Sequence, residues 1–379
     1  MSRPTIAEVN LSALNKNVRK LKKLTNSKIY PVVKADAYGH GLKMVVESID
    51  PLISGYCVAT FEESLELRKI TKRNIVCMEG PYDYSELKIF EKLNIDYVIH
   101  SFRQISFLEN LGNLKVVGKN KIWLKIDTGM NRLGFKENEI LEAFSKINST
   151  KKSLVLMSHL SSSSSNKNSR LITNSQIKMF KKFELKLKKI KPNLISSLCN
   201  SGGLINFKRS HNDISRPGIS IFGSKADDEK SKIDLEQVMT LKSKFISIKK
   251  INKGDRVGYG GTWKAKKETV IGILPIGYAD GYLTGMGNSA YVLVEGVKAK
   301  VIGRVSMDLT AVDLSNCKNP DYDSEVILWG NNLKIDKVSK FANSIPYELM
   351  TSVSKRVKRE YVFKLSLIHI SEPTRLGAI

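Results

Sequence analysis

Residues 11–41 read LSALNKNVRKLKKLTNSKIYPVVKADAYGHG. Leu11, Leu14, Val18 and Leu21 recur at helical spacing and give one apolar face. The short apolar run 29–33 follows, with the continuous hydrophobicity of a strand covered on both sides. The run stops at Lys34, and a small-residue, glycine-bearing segment, Ala35-Asp36-Ala37-Tyr38-Gly39-His40-Gly41, separates it from the next helical pattern. Such a helix, a buried strand and a charged loop predict βα organisation.

The same alternation continues outward. Apolar runs at 56–59, 75–78, 97–99, 122–126, 154–157 and 194–198, with a weak segment at Ile214 before Arg216, bring the number of runs to eight. Helical stretches at 41–49, 64–70, 84–93, 102–111, 138–147 and 175–190 lie between them. That count predicts a (β/α)8 TIM-like barrel of ordinary size, although a doubly wound sheet has the same periodicity, because periodicity counts strands without closing them. After about residue 238 the rhythm becomes strands without long helices, at 240–248, 269–276, 291–294, 297–301, 309–312 and 325–328, divided by Gly-, Asn- and Asp-bearing turns. The expected organisation is an α/β barrel over 1–237, whose first nine or so residues pair with a C-terminal β-rich domain over 238–363. No Gly/Ser or Pro linker divides the two, so they are expected to pack tightly. The serine run 161–165 falls after the sixth strand and reads as a mobile loop.

Composition narrows the function classes. A chain of 379 residues with 41% hydrophobic and 26% charged residues is a globular protein, which excludes disorder as the main state. No window approaches the roughly 18 apolar residues of a membrane span, and no apolar core follows the N-terminal charge, so a cytoplasmic protein without a membrane partner is expected. Cys57, Cys77, Cys199 and Cys317 form no C-x-x-C pair, so reduced thiols are expected, with no disulfide framework and no metal site. The net charge of +25 rests on lysine, since only 14 of the 62 basic residues are arginine. Lys16, Lys20, Lys22 and Lys23, and again Lys181, Lys182, Lys186, Lys188 and Lys189, fall on polar helix faces, not in an arginine stripe interleaved with aromatics. The expectation is a solvated basic surface with weak, non-specific nucleic-acid retention at most.

Barrel chemistry sits at the C-terminal ends of the strands. Lys34 ends the first run, where burial disfavours the charged amine and favours the nucleophilic one that forms Schiff bases; the alternative is an ordinary surface lysine. Its company is Lys125, Asp127 and Arg132 around the fifth run, His159 after the sixth, Cys199-Asn200-Ser201-Gly202-Gly203 after the seventh and Arg216-Pro217-Gly218-Ile219 at the eighth. The last two segments offer backbone N–H groups where barrels commonly hold phosphate. A Schiff-base lysine facing a phosphate cradle suggests pyridoxal 5′-phosphate.

The ten residues 32–41 resemble the cofactor-lysine signature of bacterial alanine racemases. Further blocks of that family follow in order: 125–134 (KIDTGMNRLG), Arg216-Pro217-Gly218, Val257-Gly258-Tyr259-Gly260, Gly277-Tyr278-Ala279-Asp280-Gly281 and Gly303-Arg304-Val305-Ser306-Met307-Asp308. The resemblance covers roughly residues 3–362. It implies a barrel followed by a β domain, a homodimer with shared active sites, and a small amino acid substrate. Lys34 would hold the cofactor and act as one acid/base, and Tyr259 of the partner subunit would serve the opposite face. Arg132 and His159 would help the phenol ionise, Arg132 also holding the substrate carboxylate. Arg216 would bond the pyridine nitrogen, while Tyr38, Ser201, Gly218 and Ile219 would hold the phosphate with Asn200 supporting their loop. Lys125 matches a lysine carbamylated in many relatives, an ion pair with Asp127 being the alternative. Tyr278 and Met307 would narrow the entrance toward a methyl-sized side chain.

The implied reaction interconverts L- and D-alanine and supplies D-alanine for peptidoglycan. A serine or broader-specificity racemase and a non-catalytic cofactor-carrying barrel are the alternatives. The chain departs from the family at Lys355, where relatives commonly place a phosphate-touching tyrosine, and over 364–379, which reads like translated adapter sequence and is expected to be a non-native tail.

Overall fold

The computed structural model describes residues 3–111, 118–150, 152–225 and 232–363, so the suspected tail lies outside the described residues. The chain opens with β1 (Ile6–Asn10), and the helix Leu11–Lys22 follows at once. Asn10 starts that helix by accepting the Ala13 N–H with its side chain, and Leu11, Leu14, Val18 and Leu21 are the buried face.

Eight short parallel strands come next: β2 (Lys28–Ile29), β3 (Gly55–Val58), β4 (Asn74–Cys77), β5 (Asp96–Ile99), β6 (Ile122–Lys125), β7 (Leu154–Met157), β8 (Ile195–Ser197) and β9 (Ile214–Ser215). β3 to β8 pair in chain order, and β2 pairs with β9. Backbone bonds past the strand ends complete the ring. Val33 donates to the Cys57 carbonyl and Cys57 to the Pro31 carbonyl, both at 2.9 Å, while Arg216 donates to the Cys199 carbonyl at 3.1 Å. The barrel expected from periodicity is therefore closed, and its strands are buried on both faces as parallel strands are.

The second unit comprises β10 (Met239–Ser243), β11 (Ser247–Ile251), β12 (Arg256–Val257), β13 (Trp263–Lys264), β14 (Thr269–Leu274), β15 (Tyr291–Val294), β16 (Val297–Ile302), β17 (Thr310–Asp313), β18 (Val326–Trp329) and β19 (Lys358–Val362). The run 240–248, expected as one strand, is two. It breaks around Phe245, whose ring turns inward while Ile246 turns out. β10 then joins β18, and β11 lies at the far edge against β14. The sequence marks the break as a change of phase, the apolar positions passing from Leu241 and Phe245 to Ile246 and Ile248. The nine-stranded sheet runs β11-β14-β17-β16-β15-β18-β10-β1-β19, so the N-terminal strand sits between one antiparallel and one parallel neighbour of the β domain. Among the described residues no helix is long and apolar enough to cross a membrane.

Candidate active site

Lys34 leaves the barrel wall at the end of the first strand segment, and the backbone behind it turns the unusual way. Ala35, Asp36, Ala37 and Tyr38 have φ of 51°, 53°, 53° and 54°, a complete left-handed turn built without glycine, and Gly39 and Gly41 continue at 76° and 91°. Each such non-glycine residue costs roughly 1–2 kcal/mol, so the surroundings must hold the turn in place. Within it, Ala37 N–H bonds the Val33 carbonyl at 3.0 Å and Gly39 N–H the Ala35 carbonyl at 2.9 Å. The Asp36 carboxylate accepts the Leu42 N–H at 2.7 Å, and the buried His40 ring makes a 2.9 Å contact from Nδ1 to the Tyr38 carbonyl. The Glu63 carboxylate accepts the Ala35 N–H at 2.7 Å, and Arg359 of β19 donates to the Gly39 carbonyl at 3.1 Å. The result is an exposed amine at the mouth and, four residues on, a buried tyrosine.

Tyr38 packs between Phe222 and Tyr347, with ring centroids 5.1 and 6.0 Å away. Its hydroxyl lies over Gly218, where a Cβ would fall 2.5 Å from that oxygen, so only glycine lets the two approach. The Ser201 hydroxyl accepts the Gly218 and Ser220 N–H groups at 2.9 and 3.3 Å, with Ile219 buried between them. Asn200 braces the cradle by accepting the Gly203 N–H at 3.0 Å and the Ser163 hydroxyl at 2.9 Å while donating to the Leu160 carbonyl at 3.0 Å. The serine run is likewise tied in: Ser161 donates N–H and hydroxyl to Gln176 at 3.0 and 3.1 Å, and Ser162 bonds Ser169 at 3.0 Å.

The other wall is cationic. Arg216, 2% exposed, donates to the Ser197 hydroxyl, to the Ser158 carbonyl at 2.6 Å and to the Leu198 carbonyl at 3.4 Å, and it makes no ion pair among the described residues. Lys125 is 7% exposed, and burial, reinforced by Arg132 and Arg216, lowers its amine to about 8. The ion pair with Asp127 that could neutralise it is not formed among the described residues. Asp127 spends one oxygen on the Gly129, Met130 and Asn131 N–H groups at 2.9–3.1 Å, building the loop that carries Arg132. Burial pushes His159 down to about 3, with Arg216, Lys125, Arg132 and Lys34 all acting in the same direction. Its imidazole is therefore neutral at physiological pH. Four basic side chains, Lys34, Lys125, Arg132 and Arg216, converge on one barrel mouth and form no ion pair among the described residues, beside a glycine-floored cradle of N–H and hydroxyl groups. That donor set fits a phosphorylated aldehyde and an amino acid carboxylate.

Tyr259, Tyr278 and Met307 stand apart on the β domain, 72%, 46% and 52% exposed. Their loops are joined, since Tyr278 N–H bonds the Ser306 carbonyl and Ala279 N–H the Met307 carbonyl at 3.1 and 3.0 Å. Gly258, beside Tyr259, lies against Arg304 of the same loop. Lys355 is exposed. Sequence reasoning overlooked Glu63, His40, Tyr347 and Arg359. Only Glu63 carried a signal, as the fourth residue of the capping box Thr60-x-x-Glu63.

Known proteins resemble the chain over both of its domains. The alanine racemase N-terminal domain profile matches residues 9–226, and the alanine racemase C-terminal domain profile matches 238–361. The chain is 36% identical to alanine racemase of Actinobacillus succinogenes over 365 residues, 95% of this chain and 99% of that one. It is also 36% identical to that of Haemophilus influenzae over 367 residues, with 95% and 99% covered. The biosynthetic alanine racemase of Pseudomonas aeruginosa superposes with a TM-score of 0.86 at 33% identity, covering 95% of this chain and 99% of the other. The alanine racemase of Bartonella henselae, solved with covalently bound pyridoxal phosphate, gives 0.84 at 27% identity with the same coverage. With both domains matched across nearly the whole chain, this protein belongs to the alanine racemase family.

Proposed function

We propose that the protein is a cytoplasmic, pyridoxal 5′-phosphate-dependent racemase that interconverts L- and D-alanine and supplies the D-enantiomer for peptidoglycan. The observation that carries this reading is Lys34, presented by a left-handed turn into a mouth of cations that form no ion pair among the described residues, beside the Tyr38, Ser201 and Gly218 cradle. Tyr38, Ser201 and the backbone of Gly218 and Ile219 would hold the phosphate, with Asn200 bracing them, and Lys34 would hold the aldehyde. When bound, the cofactor supplies an electron sink that acidifies the substrate Cα–H.

Arg216, a donor that keeps its protons, would bond the ring nitrogen and leave it unprotonated. That leaves a weaker sink, suited to a reaction that only moves a proton. Arg132 binds the substrate carboxylate, and inversion follows when one group takes the Cα proton and another returns one from the opposite face. Lys34 is the group on one face. The other is Tyr259 of the partner subunit, which explains why a phenol in a family block stands exposed on this chain, flanked by the Tyr278 and Met307 loops. His159, neutral at the mouth, offers that phenol a hydrogen bond and not a charge, so the electrostatic help expected of Arg132 and His159 together falls to Arg132. A carbamylated Lys125 would give Arg132 an anionic neighbour. Exposure of Tyr259 also weighs against a non-catalytic carrier, which has no use for a phenol there.

Incubation of the holoprotein with L-alanine in heavy water should place deuterium at Cα of both enantiomers. Lys34→Ala should abolish that exchange together with the absorbance of bound cofactor. Retention of unlabelled L-alanine by the loaded wild type would overturn the reading, and a parallel incubation with L-serine measures the substrate breadth.

A further inference from the structure

The left-handed turn at 35–38 is gripped from two directions by side chains outside it. One oxygen of Glu63 accepts the Ala35 N–H at 2.7 Å, directly after Lys34. The other accepts the Ala59 N–H at 2.8 Å and the Thr60 N–H at 3.3 Å, where β3 gives way to the helix Phe61–Ile70. One carboxylate therefore clamps the ends of two neighbouring barrel strands. At the far end of the turn Arg359 donates from Nε to the Gly39 carbonyl at 3.1 Å, while its terminal nitrogens hold the Ser354, Val357 and Val353 carbonyls at 2.6, 3.0 and 2.6 Å. A guanidinium bound on all sides by carbonyls is fixed in place, and it links the last strand of the β domain to the turn.

We propose that Glu63 and Arg359 are positioning residues that hold the left-handed turn and thereby aim the Lys34 amine at the cofactor aldehyde. The inference rests on the reading of Lys34 as the cofactor lysine. Neither side chain needs to touch substrate or cofactor; each acts by denying the backbone its relaxed right-handed alternative. Aim matters in this chain because 48 of its 62 basic residues are lysines, the other 14 being arginines, and any of them can react with a free aldehyde.

Glu63→Gln isolates the effect. A glutamine at this helix position still closes the capping box through its carbonyl oxygen. Its amide nitrogen then faces the Ala35 N–H, donor against donor. Full-length chain stripped of cofactor is given one equivalent of pyridoxal 5′-phosphate, the linkage is fixed with borohydride, and peptide mapping reads the fraction of label on Lys34. Thermal melting of the same samples is recorded. Wild type and Glu66→Gln, an exposed neighbour on the same helix, should carry the label on Lys34. Glu63→Gln should lose about tenfold in cofactor affinity, the scale of one hydrogen bond to a charged group, and spread its label to other lysines while melting with the wild type. Arg359→Lys, which keeps the charge and loses the fork, should do the same, with kcat falling and KM for alanine unchanged.

Label on Lys34 in Glu63→Gln and Arg359→Lys at the wild-type level overturns the inference alone. So does a lowered melting temperature with labelling and kcat intact, because the two side chains then serve stability only. Wild type unlabelled at Lys34 overturns the reading of the site itself.

Discussion

Lys125 shows how one side chain can set stability against function. Its amine titrates near 8 in the folded chain against 10.5 for an ordinary lysine, chiefly because burial strips its hydration. Below about pH 8 the amine is protonated both folded and unfolded, so the destabilisation is fully present; it is relieved as pH rises from 8 toward 10.5, where the unfolded chain binds the extra proton. Lys125→Met should therefore raise the melting temperature at pH 7 by several degrees, equivalent to about 1–3 kcal/mol, and the gain should shrink above pH 8. On the proposed carbamylation of Lys125, activity of this variant should fall, because Arg132 would then lose an anionic neighbour. Bicarbonate supplies the modifying carbon dioxide and should raise the melting temperature of the wild type while leaving the methionine variant unmoved. An equal shift in both proteins would remove carbamylation from the account.

At the scale of elements, the turn that presents Lys34 depends on close approaches that no larger residue permits. A Cβ on Gly39, already at φ of +76°, would fall 2.3 Å from the Met350 carbonyl oxygen, which belongs to the backbone of the helix Pro346–Ser352. Gly254 has φ of +100° and nothing within 4 Å of its added Cβ. Urea unfolding should therefore separate the two changes: Gly39→Ala should lose about 2–4 kcal/mol, Gly254→Ala about 1 kcal/mol. Equal losses would mean that the Met350 helix yields.

The same turn marks the limit of what could be read in advance. Apolar runs placed the barrel strands and the faces of helices such as Leu11–Lys22, because burial on a regular element repeats in the sequence. Periodicity reports which side chains are buried and carries nothing about φ, so the left-handed course of Ala35 to Tyr38 was invisible, whereas the bend at Phe245 shows as a phase change in the alternation. Lys34, Tyr38, Ser201, Arg216 and Gly218 were legible through their motifs. Arg359 was not, since its bond to the turn, at the Gly39 carbonyl, spans 320 positions of sequence.

At the scale of the molecule, one chain offers a complete cofactor cradle and, on its other domain, a phenol turned to solvent. In the proposed homodimer two copies would exchange those phenols and complete both sites, and a closed two-fold pairing is the commonest way to achieve it. Mixed variants test this. Lys34→Ala and Tyr259→Ala homodimers should each be inactive, and subunit exchange between them should restore about a quarter of the wild-type activity. Half of the dimers become mixed, and one of the two sites in each mixed dimer has both groups. Silence after verified exchange would place lysine and phenol on the same chain.

β1 ties the beginning of this molecule to its end. It lies between β10 and β19, and Arg3 just before it forms a two-pronged bond of 2.6 and 2.8 Å with the buried Asp280. On the ribosome this strand is made well before its neighbours, one of which follows some 230 residues later and the other only at Lys358–Val362. Until β19 is made, β1 keeps at least one edge unpaired, while the barrel, which does not include β1, closes through β2 and β9. Final sealing of the sheet waits for β19, which makes that strand the latch and β1 the catch.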